Sequence, residues 1–150
     1  MDPLSERLAS AQIVGMDTSL FIYHLEANPR YVPLTKTIFK GIENGKWRGI
    51  ASTITLMEIT VRPWQLGREM VAREYETVLL HFPNLALVDV DRNVARTAAM
   101  LRAKFNIATP DALLVATSLT TGAKSFLTND KRLSKLQALI DVIVLDDFLI

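Results

Sequence analysis

A chain of 150 residues is long enough to bury a substantial core without disulfides or a structural metal, and 49% hydrophobic with 22% charged residues is too apolar for a disordered segment. With 17 basic against 16 acidic side chains the formal net charge is +1, so no global basic field signals a nucleic-acid partner, and any basic surface has to be gathered on one face. Cysteine is absent and histidine occurs only at His24 and His81, which leaves oxygen as the ligand type for a metal.

No run approaches the roughly 18 apolar residues of a membrane span. The start, MDPLSERLASAQ, lacks the basic-then-apolar order of a signal peptide, so a cytoplasmic location without a membrane partner is expected. One domain over residues 1–150 is expected, with residues 1–11 as an N-terminal extension that is loose or forms an extra turn.

Short apolar runs alternate with longer segments of helical period, which predicts an α/β fold with a parallel sheet. The first strand is expected at Ile13 to Met16. Helices follow over Leu20 to Glu26 and Leu34 to Asn44, the second placing Leu34, Ile38 and Ile42 on one face and stopping at Gly45. After a strand at Gly49 to Ser52 come a helix from Ile54 to Arg62, a break at Pro63, and a helix from Glu69 to His81 that buries Val71, Tyr75, Val78 and Leu79. A strand at Leu85 to Val88 precedes a helix over Asn93 to Asn106 with Val94, Ala98, Leu101 and Phe105 at helical spacing. Thr109-Pro110 opens a helix that ends at Gly122, and strands at Ser125 to Thr128 and Val142 to Leu145 complete the pattern. There is no internal repeat, linker or low-complexity tract.

In a parallel α/β sheet, ligands gather at the carboxyl ends of the strands, so polar residues just after a strand carry the functional question. Asp17 follows the run IVGM and Asp130 follows FLT with only Asn129 between. Each taken singly is explained as a helix cap. Asp111 sits just inside a helix start, where its charge meets the positive end of the helix dipole. Glu58 shares a helical face with Ile54 and Val61, so its carboxylate points partly toward the core and needs a partner; a salt bridge to Arg62 one turn on is the plain explanation.

The four acids acquire weight from their joint contexts, MDTS, an acid in STITLMEI, TPDALLVATSL and FLTND, in that order. In this ordered set, from about Val14 to Phe148, the sequence resembles the PIN-domain family, and within it the VapC-type toxins of toxin–antitoxin pairs. The resemblance aligns Asp17, Glu58, Asp111 and Asp130 with the family's acidic quartet, places Thr128 as the hydroxyl residue beside the last acid, and makes Thr18 a supporting candidate. It implies a five-stranded parallel sheet with helices on both faces, a divalent-ion-dependent endoribonuclease leaving a 5′-phosphate and a 3′-hydroxyl, a homodimer, and inhibition by a VapB-type antitoxin. One departure stands out: many relatives carry an aromatic residue after the final acid, where this chain has Lys131, Arg132 and Leu133. The segment before Ile13 is also longer than in the family.

Four carboxylates in one cleft repel one another and raise at least one pKa, a conflict that a divalent cation relieves. Oxygen-only ligands select magnesium or manganese, and water on such an ion is the candidate nucleophile. The expected division of labour puts Asp17, Asp111 and Asp130 on the ion or a bridging water, has Glu58 orient or deprotonate the attacking water, and uses Thr128 to hold the carboxylate of Asp130 or a water on the ion.

Other residues are weighed against ordinary roles. Trp47, between Lys46 and Arg48, suits core-edge packing better than base stacking. Trp64 suits a dimer or antitoxin surface. Arg62, Arg68, Arg73, Lys131, Arg132 and Lys135 are candidate RNA contacts on a surface where most such charges are simply solvated. His24 and His81 have no partner at metal-ligand spacing, and Asp146 and Asp147 match no catalytic motif. A haloacid-dehalogenase-type phosphatase needs an Asp where Ser19 stands, and a dinucleotide site needs a glycine-rich loop where the chain reads Asp17-Thr18-Ser19-Leu20. The competing readings that survive are a non-catalytic binding module on the same scaffold and a DNA-directed or structure-specific nuclease.

Overall fold

A computed structural model describes residues 2–150. Five strands, β1 (Ile13–Met16), β2 (Arg48–Ser52), β3 (Leu85–Val88), β4 (Ser125–Thr128) and β5 (Asp141–Val144), form one sheet in the order β3-β2-β1-β4-β5. Every neighbouring pair is parallel. The helices are α1 (Pro3–Ala11), α2 (Thr18–Leu25), α3 (Val32–Glu43), α4 (Thr53–Gln65), α5 (Glu69–His81), α6 (Arg92–Phe105) and α7 (Thr109–Thr120). Short 3₁₀ turns follow β4 and β5, at Lys131–Leu136 and Leu145–Phe148. This is the α/β architecture expected, with helices on both faces.

Alternation along the strands divides the core in two, because successive side chains of a strand point to opposite faces. Val14, Met16, Ala51, Leu127 and Ile143 pack with Leu4, Leu8, Leu20, Ile38, Ile42 and Ile59, which puts α1 to α5 on one face. Ile50, Phe126, Val142 and Val144 pack with Val94, Leu101, Leu114 and Val115, which puts α6 and α7 on the other. Gly15 sets how closely α7 approaches: a Cβ there would run into the side chain of Ser118 on α7. The helix that begins beside Asp111 is thus pressed directly against the strand that ends at Asp17. No helix among the described residues is long and apolar enough to cross a membrane.

Several elements differ from expectation for identifiable reasons. Within the expected N-terminal extension, whose Met1 lies outside the described residues, Pro3–Ala11 form a nine-residue helix, not a loose segment. Asp2 caps it by accepting the Ser5 amide at 2.9 Å, Pro3 stands at its first position, and Leu4, Leu8 and Ala11 are buried. Helix α4 runs through Pro63 to Gln65, since only the last turn lies beyond the proline and Pro63 itself is buried. On α5 the inward stripe is Ala72, Tyr75 and Leu79; Val78 lies off it and is 53% exposed. Helix α7 begins after Ala108, which cannot cap, so Thr109 is its first residue and not its cap. The last strand ends at Val144, and Leu145 already belongs to the following turn.

Candidate active site

The chain leaves β1, builds β2 and β3 on one side, and later returns to place β4 on the other, so the crevice outside the carboxyl ends of β1 and β4 is the topological switch point of the sheet. Met16 pairs with Leu127 there, and the Asp17 amide donates to the Leu127 carbonyl at 2.9 Å. Asp17 therefore follows β1, while Thr128 ends β4 and Asp130 lies two residues on. Helix α7 brings Asp111 in its first turn, and α4, leaving β2 under a Ser52 cap, carries Glu58 on its second turn.

The cap explanation divides the acids. Asp17 stands at the N-cap position of α2 but its side chain makes no cap hydrogen bond. Its Oδ2 instead accepts from Thr128 Oγ1 at 2.6 Å, and Thr128 is fully buried. Asp130 does cap the turn that follows it, its Oδ1 accepting the Arg132 amide at 3.0 Å. Thr128 meets Asp130 through the backbone only, accepting the Asp130 amide at 3.1 Å, so the carboxylate it holds is that of Asp17 and not, as one of its two expected roles had it, that of Asp130. The reason is register: Thr128 lies alongside the end of β1, and its hydroxyl proton goes to the neighbouring strand.

Glu58 has no ion pair with Arg62; the ion pairs among the described residues join Arg7 to Asp141, Arg73 to Glu69 and Arg132 to Asp130. The partner Glu58 needs is Thr18, whose Oγ1 donates to Oε1 at 2.6 Å. Thr18 and Thr55 are both buried, with their hydroxyl oxygens 2.8 Å apart. Thr18 has a single hydroxyl proton and gives it to Glu58, so Thr55 donates to Thr18. The relay Thr55 to Thr18 to Glu58 fixes one carboxylate oxygen, and Thr55 had not been singled out in the sequence although it stands one turn before Glu58 on the same helix. The Ser19 hydroxyl, also in the first turn of α2, is buried without a hydrogen-bond partner.

Electrostatics link the acids in a row. Burial pushes the Asp17 carboxyl up; the Thr128 hydrogen bond opposes this, as do nearby backbone amides that fall short of a cap bond, and the charge of Glu58 adds to it. Burial likewise raises Asp111, reinforced by the charges of Asp17 and then Asp130, with Arg132 opposing. Asp130 is held below the usual carboxylate range, first by its hydrogen bonds from the Arg132 guanidinium. The charge of Glu58 thus acts on Asp17, and the charges of Asp17 and Asp130 act on Asp111.

Among the described residues no three acid or histidine side chains stand close enough to close around one ion. The donor set nonetheless fits a hard divalent cation in kind, being carboxylate and hydroxyl oxygen throughout, and in charge, since neighbouring anions raise both Asp17 and Asp111.

The remaining candidates separate. Arg132 and Lys135 line a groove with Asp111 and Asp130. Arg62 and Arg68 line another with Glu58, and Arg73 is paired to Glu69 on the same helix. The basic residues therefore lie in more than one place. Trp47 is 2% exposed, donates Nε1 to the Ile38 carbonyl at 3.1 Å and occupies the space left by Gly41, so it is core and not a stacking platform. His24 has a structural partner, its Nδ1 lying 2.9 Å from Thr35 Oγ1, and His81 is exposed. Asp146 accepts from the Tyr31 hydroxyl at 2.7 Å, and Asp147 is exposed.

A sequence profile of the PIN domain matches residues 15–139. The chain belongs to the PIN domain family. PIN domains are generally nucleases, and the span matched contains all four acids. No curated protein matches the sequence. Among solved structures, a chain of a toxin–antitoxin complex from Klebsiella pneumoniae is similar with a TM-score of 0.64 at 17% identity, covering 89% of this chain and 97% of that one. A chain of VapBC2 from Rickettsia felis, bound to a DNA fragment from its promoter, gives 0.65 at 16% identity over 88% and 98%. A chain of DNA-bound VapBC from Salmonella typhimurium gives 0.64 at 21% identity over 89% and 98%. Likeness at this level of identity speaks for the PIN fold itself.

Proposed function

We propose that this PIN domain is a divalent-ion-dependent endoribonuclease and the toxin half of a toxin–antitoxin pair, with residues 1–150 acting as one cytoplasmic domain. The observation that carries the reading is the row of carboxylates at the switch point of the sheet, two of them raised first by burial and then by neighbouring acids, Asp17 by Glu58 and Asp111 by Asp17 and Asp130. The Thr128 hydrogen bond at Asp17 and the Arg132 charge near Asp111 offset this only in part, since both carboxyls stay raised, and a magnesium or manganese ion would relieve the rest.

Asp17, Asp111 and Asp130 are the residues that would hold the ion. Bound there, it would supply Lewis acidity at a scissile phosphate and make a nearby water a stronger acid. Thr128 keeps one oxygen of Asp17 fixed and leaves Oδ1 for a ligand. Glu58, anchored through Oε1 by Thr18, has Oε2 free to orient an attacking water or take its proton. Anchoring by buried hydroxyls rather than by cations keeps both carboxylates aimed without neutralising them.

The partner half of the proposal is supported by helix α4. Met57, Val61 and Trp64 stand at i, i+4 and i+7 and are 53%, 45% and 54% exposed, one apolar helix face open to solvent. That face suits an antitoxin or a second copy of the chain, and the similar solved structures are named as toxin–antitoxin complexes.

Incubation of the purified chain with defined single-stranded RNA and single-stranded DNA, with and without EDTA, tests the reading. Metal-dependent loss of the RNA alone is expected. Cleavage of DNA would move the assignment to a DNA-directed or structure-specific nuclease, and no cleavage of either, with metal bound, to a non-catalytic binding module.

A further inference from the structure

The grip of Arg132 on Asp130 is not accounted for by holding the fold together. The guanidinium places Nε 3.0 Å from Oδ1 and 3.2 Å from Oδ2, and Nη2 2.8 Å from Oδ2. Oδ1 also accepts the Arg132 amide at 3.0 Å. A carboxylate offers about four lone-pair directions, and three N–H groups of one residue, the single Nε–H shared between both oxygens, engage Oδ1 and Oδ2 together. A cation approaching Asp130 therefore meets both oxygens already engaged by a positive charge and has to compete with Arg132 for them.

The grip is also one that is easily released. The Arg132 side chain is 85% exposed against 25% for Asp130, and an ion pair so open to water is worth little. Arg132 lies only two residues from Asp130, so it stays nearby when it lets go. The groove it borders is lined by Asp111, Asp130 and Lys135 together with the chain from Asn106 to Ala108. Lys135 reaches across to the Asn106 carbonyl at 3.4 Å, a neutral acceptor that an anion would outcompete. A planar guanidinium fork matches a phosphate as well as it matches a carboxylate.

We infer that Arg132 is a two-position residue: in the metal-free protein it is the counter-ion of Asp130 and competes with the divalent cation, and once released it works with Lys135 to hold a backbone phosphate of the substrate next to the acids. The inference rests on the metal-dependent nuclease reading above. It assigns the groove of Asn106 to Lys135 as a phosphate subsite and makes Arg132 a positioning residue whose removal has opposite effects on the two ligands.

The test is calorimetric titration of Mn²⁺ into the full chain, paired with steady-state cleavage of a defined single-stranded RNA, for wild type, Arg132→Met and Lys135→Met. Arg132→Met should bind Mn²⁺ about two- to fivefold more tightly, the factor that losing one exposed competing ion pair allows. The same variant should raise KM for the RNA about tenfold with kcat little changed, as removal of a charged hydrogen bond made equally to bound substrate and transition state requires. Lys135→Met should raise KM and leave Mn²⁺ affinity as it was. A residue that merely braced the site would lose affinity for both ligands together. Unchanged or weaker Mn²⁺ binding by Arg132→Met, with wild type binding normally, overturns the inference alone. Absence of Mn²⁺ binding in wild type as well overturns it together with the reading beneath it.

Discussion

At the amino end of β5, Asp141 receives hydrogen bonds from Arg7, from Gln137 at 2.7 Å and from Ser125 at 3.4 Å. Its carboxyl lies below the usual range, first because Arg7 donates to it. At the carboxyl end of the same sheet Asp111 is also half-buried, yet among the described residues its carboxylate has no hydrogen-bond partner, and burial with the charges of Asp17 and Asp130 raises it. Two aspartates of similar exposure are thus treated in opposite ways. The acid whose ionised form the fold satisfies belongs to the fold. The acid whose ionised form the fold penalises is suited to a ligand from outside it.

The comparison breaks most visibly in activity. Asp111→Asn should lower RNA cleavage by at least about a hundredfold, the scale of removing a group that acts directly at the reacting centre. Its metal-free melting temperature should equal or exceed that of wild type, because a repelling charge is gone. A clear fall in that temperature would make Asp111 a structural residue like Asp141.

The converse substitution gives a smaller effect of the other kind. Asp141→Asn should cost about 1 kcal/mol after allowing for an ion pair open to solvent on both sides, or roughly 2–4 °C in melting temperature, with cleavage little affected. Calorimetry and the cleavage assay on the same preparation check both halves. A large loss of activity without loss of stability would contradict the division between the two ends of the sheet.

The smallest effect is in pH dependence. The depressed pKa of Asp141 gives stability that is present above the unfolded carboxylate pKa and lost as pH falls through the folded one. The raised pKa values of Asp17 and Asp111 act with the opposite sign: the metal-free protein is favoured while they are protonated, and that advantage is lost as pH rises through their folded values. Melting curves of the metal-free protein across the carboxylate range should show a flatter fall on the acid side in Asp141→Asn, and a flatter decline on the neutral side in Asp111→Asn. Identical profiles for the two variants would remove the electrostatic contrast.

Much of this arrangement was legible in the sequence. Four-residue apolar runs bounded by helical period marked all five strands to within a residue, because a parallel strand buried on both faces has little choice of composition. Asp17 and Asp130 stood out by following strands. Strand order, by contrast, is set by crossovers between distant segments, so the sequence could not show that Thr128 would lie beside Asp17 and spend its proton there. The Thr55 relay was half visible in its spacing from Glu58, but it depends on Thr18 reaching α4 from another helix. Helix α1 was legible and missed: Asp2-Pro3 is a start signal, and Leu4, Leu8 and Ala11 form its apolar stripe. The pairing of Arg132 with Asp130 depends on a tight turn whose geometry composition does not reveal.

The most direct test of the central claim is the thermal stability of wild type and Asp111→Asn with and without saturating Mn²⁺. At a hundredfold excess over Kd, an ion bound only by the folded state adds about 2.7 kcal/mol. For a domain of this size that is roughly 5–10 °C in wild type, with much less expected in the variant. Equal shifts in both proteins, or none in wild type, would contradict the account.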